Sequence, residues 1–172
     1  SRLLKDKGLL ELIEAASKLR KITKNFKLYI AGKIDTENPS SLSHEEIKSW
    51  EACDYIKYIG YQNNMNEVYK QIHVAILPSY REGLPKGLLE AAAYSKPIIT
   101  TNVTGCREIV IDGKNGVVVN SKNSEELYLA MKKMVENKKI RISMGKEGRM
   151  IIKKKFLLEN TAKDLVNLYK ND

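Results

Sequence analysis

The sequence has few of the residues that build disulfide frameworks or metal centres. Its 172 residues include two cysteines, Cys53 and Cys106, which lie far apart and match no metal-ligand spacing. We therefore expect two free thiols in a reducing compartment. The only two histidines, His44 and His73, have no partner at catalytic or metal-ligand spacing, so we expect both to be structural.

Long apolar runs and the common nucleotide-binding motifs are also missing. No stretch approaches the roughly 20 apolar residues of a membrane-spanning helix, and the first residues do not have the pattern of a signal peptide. The Gly-x-Gly-x-x-Gly motif of a dinucleotide-binding dehydrogenase is absent. Gly113-Lys114 lacks both the upstream glycine and the following Ser or Thr of a P-loop. We therefore expect neither of these nucleotide-binding classes, and we expect a cytoplasmic location.

Aromatic residues are scarce, at 7%, whereas charged residues make up 30% and give a net charge of +9. A basic surface suits a polyanionic partner, which is a phosphorylated small ligand, an anionic membrane or a nucleic acid, although it also serves solubility. A nucleic-acid-binding module is the main alternative outside enzymes, and it needs clustered basic residues with stacking aromatics. The densest basic cluster, 153–155, lies near the C-terminus. It is far along the chain from the glycine-bearing turn at 82–87, so we expect no nucleic-acid partner.

Short apolar segments alternate with amphipathic ones along the whole chain. The predicted strands are 27–31, 55–59, 74–77, 97–103 and 117–119. The predicted helices are 8–20, 43–52, 64–72, 86–94, 123–136, 140–155 and 157–169, with a short helical segment in 105–110. This alternation predicts one α/β domain over 1–172, a Rossmann-like three-layer sandwich with a parallel sheet covered on both faces. A first strand is expected to be cut short, leaving only residues around 2–4.

One stretch, 78–90, joins a predicted strand to a predicted helix through a polar turn. It contains two carboxylates eight positions apart, Glu82 and Glu90, together with two glycines and two basic residues. A buried strand that ends in a glycine-bearing turn and restarts as a helix is the usual ligand-binding corner of an open α/β sheet. We expect the function to be determined at this corner.

Three stretches together resemble a known enzyme family. They are the Arg-Leu-Leu-Lys-Asp-Lys-Gly segment at 2–8, the Pro-Ser followed by Glu-x7-Glu at 78–90, and the Ala-rich run with the Lys-Pro-Ile-Ile-Thr strand and its following turns at 91–116. In this order they resemble the nucleotide-sugar-binding half of group 1 retaining glycosyltransferases with the two-domain B fold, the family that builds capsule and lipopolysaccharide. The resemblance implies that the chain is the C-terminal half and that the N-terminal acceptor domain is absent from it.

The resemblance assigns Arg2 and Lys7 to the donor diphosphate. Charge grows on the β-phosphate as the glycosidic bond breaks, and fixed cations stabilise that charge in the transition state. Arginine offers a fork to phosphate oxygens, whereas lysine acts as a point charge. With these cations in place the resemblance implies no required metal and no cofactor. Lys5 is expected to be a surface charge.

The resemblance makes Glu90 the ligand of the ribose diol, because a carboxylate accepts two hydrogen bonds from vicinal hydroxyls. We expect Glu90 in the first turn of the helix, where a carboxylate is also favourable for the helix dipole alone. Glu82 is placed beside the donor sugar. There it either hydrogen-bonds sugar hydroxyls or helps to stabilise positive charge at the anomeric carbon, and an ordinary turn carboxylate is the alternative.

The turn between the two glutamates departs from the commonest family pattern, which has glycine at the position of Pro85. Gly83 and Gly87 allow the backbone to approach the diphosphate and sugar. Proline supplies no N–H, so backbone donors have to come from Leu84, Lys86 or Gly87. Whether the Lys86 side chain also reaches a phosphate is left open.

Three further side chains outside the turn have expected positions. The nucleotide base is expected near the turn after the second predicted strand, where Tyr61 either packs beside it or is an ordinary strand-end tyrosine. Arg107 is expected on the surface, with the cleft as the alternative. Trp50 is expected to pack in or beside the core.

The resemblance implies that the full enzyme transfers a hexose from a UDP-sugar to a glycan or polyprenyl-diphosphate-linked acceptor, at the inner face of the cytoplasmic membrane with peripheral membrane contact. It implies retention by front-face attack assisted by the leaving phosphate. The isolated chain is expected to be inactive. A regulatory or scaffolding domain with this fold is a further alternative, against which the intact Arg2, Lys7, Glu82 and Glu90 argue.

Overall fold

The computed structural model describes residues 2–156, and the helix predicted over 157–169 lies outside them. Within the described part, five strands are present: Leu28–Ala31 (β1), Ile56–Gly60 (β2), Ala75–Leu77 (β3), Ile98–Thr101 (β4) and Gly116–Val119 (β5). The helices of the same part are Leu9–Ile22 (α1), His44–Glu51 (α2), Met65–Gln71 (α3), Lys86–Ala93 (α4), Thr104–Arg107 (α5), Ser124–Glu136 (α6) and Lys138–Lys155 (α7). A 3-10 turn at Lys5–Lys7 precedes α1. Every predicted strand and helix in 2–156 is confirmed, with boundaries shifted by a few residues.

All strand pairs are parallel, as the alternation of strands and helices predicts. β1 pairs with β2, and β4 lies between β3 and β5. Within the described residues, hydrogen bonding groups the strands into one sheet of two strands and one of three, and the predicted α/β fold with parallel sheet strands is confirmed. The expected first strand is reduced to a parallel bridge between Arg2 and Lys33, which follows β1.

Two apolar cores cover opposite faces of the strands. Neighbouring residues of a strand point to opposite faces, and Ile98 and Ile99 of β4 are both fully buried but belong to different cores. One core packs α1 and α6 against the strands, and the other packs α3, α4 and α5 against them. These two cores make the three-layer sandwich, and Trp50 is buried in the first of them, as expected.

Helices α2 and α3 begin at residues whose side chains cap the helix N-terminus. Ser43 and Glu46 form a capping box at the start of α2, the sequence pattern that marks a helix N-terminus. Asn64 caps α3 by accepting a hydrogen bond from the Asn66 N–H at 3.1 Å.

None of the described helices is both long and apolar enough to cross a membrane.

Two glycines allow the loop segments of the site to pack closely. Gly8 has a φ of 68°, and a Cβ there would lie 2.1 Å from the Pro78 carbonyl oxygen. A Cβ on Gly105 would lie 1.5 Å from the carbonyl oxygen of Gly83 and 2.6 Å from that of Glu82. No real side chain fits either space, so these contacts fix the N-terminal segment and the turn after β3 in place.

Substituting Gly105→Ala should destabilise the fold by about 2 kcal/mol or more, because the added methyl group has to displace a backbone carbonyl. Gly83→Ala is the matched control, since a Cβ on Gly83 meets nothing within 4 Å. That variant should change the free energy of unfolding by less than about 0.5 kcal/mol. Urea denaturation of the two variants measures the difference, and equal stabilities would contradict the close contact.

Candidate functional site

An open cavity of about 390 Å³ lies where the N-terminal segment meets the turn after β3. Its walls come from the first residues, from the loop before α2 and from that turn: Arg2, Leu4, Asp6, Lys7, Asn38, Ser40, Arg81, Glu82 and Gly83. Four residues that the sequence predicts for one site, Arg2, Lys7, Glu82 and Gly83, are therefore brought together. The cavity combines three cations with two carboxylates, and this lining suits a polar anionic ligand.

Lys7 and Glu82 form an ion pair at the wall of the cavity. The Lys7 Nζ lies 2.8 Å from the Glu82 Oε1, and the two side chains are only 18% and 13% exposed. The fully buried Ser79 donates its hydroxyl hydrogen to the same oxygen at 2.6 Å. Breaking a pair with this burial leaves an uncompensated charge, so Lys7 and Glu82 depend on each other. Sequence analysis gave Ser79 no role, although the Pro-Ser start of its stretch was the available signal.

Arg2 lies at the exposed side of the cavity. Its guanidinium Nη1 is 3.1 Å from the Asp35 Oδ2, and the arginine side chain is 62% exposed. Exposed ion pairs contribute little stability. The guanidinium is therefore able to exchange its carboxylate partner for an anionic ligand at low cost.

Arg81 is a third cation of the cavity, and sequence analysis assigned it no role. Its Nε lies 3.3 Å from the Asp6 Oδ2, and its side chain is 86% exposed. Asp6 is itself fixed, because its carbonyl oxygen accepts the Tyr80 N–H at 2.8 Å. The pairing of 81 with 6 was not visible in the sequence, since it depends on a contact between segments 75 residues apart.

The Tyr80 side chain links the turn after β3 to α1. Its hydroxyl donates to the Glu11 Oε1 on α1. Burial raises the pKa of Tyr80 to about 12, and the neighbouring Glu11 adds to this shift. The hydroxyl therefore stays a proton donor at neutral pH, and it ties the turn after β3 to α1.

Glu90 lies on α4, outside the lining of this cavity. Its Oε2 is 3.1 Å from the Tyr69 hydroxyl and its Oε1 is 3.6 Å from the Lys86 Nζ. The expected first-turn position of Glu90 was wrong. The helix begins at Lys86 after a Pro85 N-cap, and this start places Glu90 fifth in α4, in its second turn.

The start of α4 presents backbone donors. The Pro85 carbonyl accepts hydrogen bonds from the N–H groups of Leu88 and Leu89, at 2.9 and 3.3 Å. The preceding N–H groups, of Lys86 and Gly87, have no acceptor within the helix. Leu84 is half exposed and the Lys86 side chain is 88% exposed. The prediction that these residues supply donors to a ligand stays a prediction.

The other candidate residues lie apart from the cavity. Tyr61 follows β2 and is 66% exposed, and Arg107 is exposed at the end of α5. His44 and His73 are exposed as well. Across residues 2–156 no cluster of three potential metal ligands occurs.

Comparisons with known proteins agree on one family. The family model for glycosyl transferases group 1 matches residues 1–150. The capsular polysaccharide biosynthesis glycosyltransferase CapM of Staphylococcus aureus is 28% identical over 98% of this chain and 44% of its own length. The N,N'-diacetylbacillosaminyl-diphospho-undecaprenol alpha-1,3-N-acetylgalactosaminyltransferase of Campylobacter jejuni is 32% identical over 86% of this chain and 37% of its own length. The chain thus spans less than half the length of these relatives.

Solved structures share the fold. The C-terminal domain of the group 1 glycosyl transferase LpcC from Francisella tularensis is 25% identical, with a TM-score of 0.78 over 91% of this chain and 83% of that one. The complex of Anabaena HepE with UDP is 18% identical, with a TM-score of 0.88 over 100% of this chain and 47% of that one. The chain therefore belongs to the group 1 glycosyl transferase family and has the fold of the C-terminal half of its two-domain B-fold members.

Proposed function

We propose that this chain is the donor-binding half of a retaining glycosyltransferase, with residues 1–172 as one domain and the acceptor domain outside it. The observation that carries the proposal is the cavity lined by Arg2, Lys7 and Arg81 together with Glu82. A nucleoside diphosphate-sugar presents two phosphates beside a hexose, and this lining offers cations and a carboxylate side by side. The charges of ligand and site are therefore complementary.

The cations act on the leaving group. As the bond between sugar and phosphate breaks, negative charge grows on the β-phosphate, and Arg2 and Lys7 stabilise it more in the transition state than in the ground state. Lys7 is already held within 2.8 Å of Glu82. A phosphate that approaches Lys7 thus arrives next to the carboxylate that faces the sugar, so the two halves of the donor are positioned by one ion pair.

The nucleoside lies toward α4 in this proposal. Glu90 accepts the ribose hydroxyls, the N–H groups at the start of α4 face the diphosphate, and Tyr61 is placed at the base. Solved structures of the same fold, among them those of Anabaena HepE and Staphylococcus aureus TarM, are complexes with UDP. These complexes support a UDP-sugar as the donor. No metal or cofactor is assigned, because the side chains supply the positive charge.

The acceptor belongs to the half that lies outside this chain. The names of the relatives refer to capsular polysaccharide and to a diphospho-undecaprenol substrate. They support transfer of a sugar to a glycan or polyprenyl-diphosphate-linked acceptor in surface polysaccharide synthesis. In this proposal the sugar is a hexose, and transfer takes place at the inner face of the cytoplasmic membrane. Retention follows in this proposal from attack on the same face that the phosphate leaves.

Calorimetric titration tests the donor assignment. In EDTA, UDP should bind the chain more tightly than GDP or ADP, and single-stranded DNA should not bind. Glu90→Ala should weaken UDP binding at least about tenfold, since two charge-assisted hydrogen bonds to the ribose are lost. Glu67→Ala is the control, because Glu67 is an exposed carboxylate that pairs with Lys70 on α3, and it should leave the affinity unchanged.

Binding of DNA without binding of any nucleoside diphosphate would overturn the donor assignment in favour of a nucleic-acid module. Equal loss of UDP affinity in Glu90→Ala and Glu67→Ala would remove Glu90 from the site.

The isolated chain should not transfer sugar. Front-face transfer needs the acceptor held against the donor. In the proposal the acceptor is held by the other half of the enzyme, which lies outside this chain. Incubation of the chain with radiolabelled UDP-sugars and a polyprenyl-diphosphate acceptor should release no labelled product above the level without protein. Robust transfer by the 172 residues alone would contradict the division into two halves.

A further inference from the structure

Tyr69 lies behind Glu90 and contacts it from the second core. The tyrosine is 5% exposed and comes from α3, whereas Glu90 comes from α4. Its hydroxyl oxygen lies 3.1 Å from the Glu90 Oε2 and 3.1 Å from the Gly87 carbonyl oxygen. One hydroxyl therefore contacts α4 at two positions three residues apart.

The Tyr69 hydroxyl remains protonated and donates a hydrogen bond to the Glu90 carboxylate. It has one hydrogen for two acceptors, and the charged carboxylate is the stronger of them. Burial raises the pKa of Tyr69 well above its ordinary value, and the negative charge of Glu90 raises it further. The hydroxyl thus keeps its proton throughout the neutral and mildly alkaline range, and Glu90 keeps its donor.

The Tyr69 ring is held in place at the C-terminal end of α4. It stacks on Tyr94, with ring centroids 5.5 Å apart and planes inclined by 27°. Tyr94 directly follows α4 as its C-cap residue. Because hydroxyl and ring both pack against α4, the ring has little freedom to carry the hydroxyl away from Glu90.

The two carboxylate oxygens of Glu90 consequently differ. Oε2 is held by a buried phenol, whereas Oε1 lies 3.6 Å from the Lys86 Nζ, whose side chain is 88% exposed. An ion pair this exposed is weak, so a ligand hydroxyl displaces it easily. The Tyr69 hydroxyl thus restricts the orientation of the carboxylate through Oε2, while Oε1 and the second lone pair of Oε2 remain able to accept hydrogen bonds from two ligand hydroxyls.

We propose that Tyr69 is a positioning residue that orients the Glu90 carboxylate for two-point recognition of a ribose diol, and that it thereby favours ribonucleotides over 2'-deoxyribonucleotides. The inference rests on the proposed function, in which Glu90 binds the ribose. A carboxylate free to rotate would lose part of its advantage for a diol, because the second hydrogen bond needs a fixed orientation. A single remaining hydroxyl depends much less on that orientation.

The test compares UDP with 2'-deoxy-UDP by calorimetry. Wild-type protein should prefer UDP about tenfold, which is the value of one hydrogen bond to a charged group. Tyr69→Phe removes only the hydroxyl, and it should reduce that preference roughly 3- to 10-fold while changing the affinity for 2'-deoxy-UDP less than about twofold.

Two further variants keep the test specific. Tyr94→Phe preserves the ring stack and removes a hydroxyl that makes no described hydrogen bond to Glu90, so the preference for UDP should be unchanged. In a Glu90→Ala background, Tyr69→Phe should have no further effect on the preference, because the two residues act through one contact.

Full retention of the UDP preference in Tyr69→Phe would overturn the inference, as would an equal loss of affinity for both nucleotides, which indicates a purely structural role. Failure of the wild-type chain to bind UDP would instead refute the proposed function, and the positioning role with it.

Discussion

The ion pair between Lys7 and Glu82 is the interaction on which the rest of the site depends. It joins the segment before α1 to the turn after β3, and the buried Ser79 hydroxyl fixes the same carboxylate oxygen. Charges as little exposed as these are tolerated only in pairs. Each side of the cavity is therefore held in place by the group on the other side, before any ligand binds.

The two glutamates of the stretch have different surroundings, and the proposed function gives them different roles. Glu82 lies in the cavity against a lysine, which suits a place beside a sugar and its phosphate. Glu90 lies on α4 against the Tyr69 hydroxyl, with one oxygen open toward an exposed lysine. Two carboxylates eight positions apart first suggest an acid and a base. Their partners instead fit two separate contacts along one extended ligand.

Sequence reasoning was most successful where the determining signal is local. Apolar periodicity and the Ser43 capping box placed the helices and strands, and the quoted motifs placed Lys7 and Glu82 in one site. It failed where the outcome depends on packing between distant segments. The Arg81–Asp6 pair joins segments 75 residues apart, and the Tyr69 contact with Glu90 joins two helices. The start of α4 after Pro85 was predicted correctly, but Glu90 is the fifth residue of this helix and so lies in its second turn, not in its first.

A crystal structure of the chain with UDP decides whether the cavity and the start of α4 form one donor site. If they do, the diphosphate oxygens lie within hydrogen-bond distance of Lys7 and Arg2, and the ribose hydroxyls contact Glu90. UDP bound elsewhere on the surface, or bound with its diphosphate away from the Lys7–Glu82 pair, would refute a single donor site.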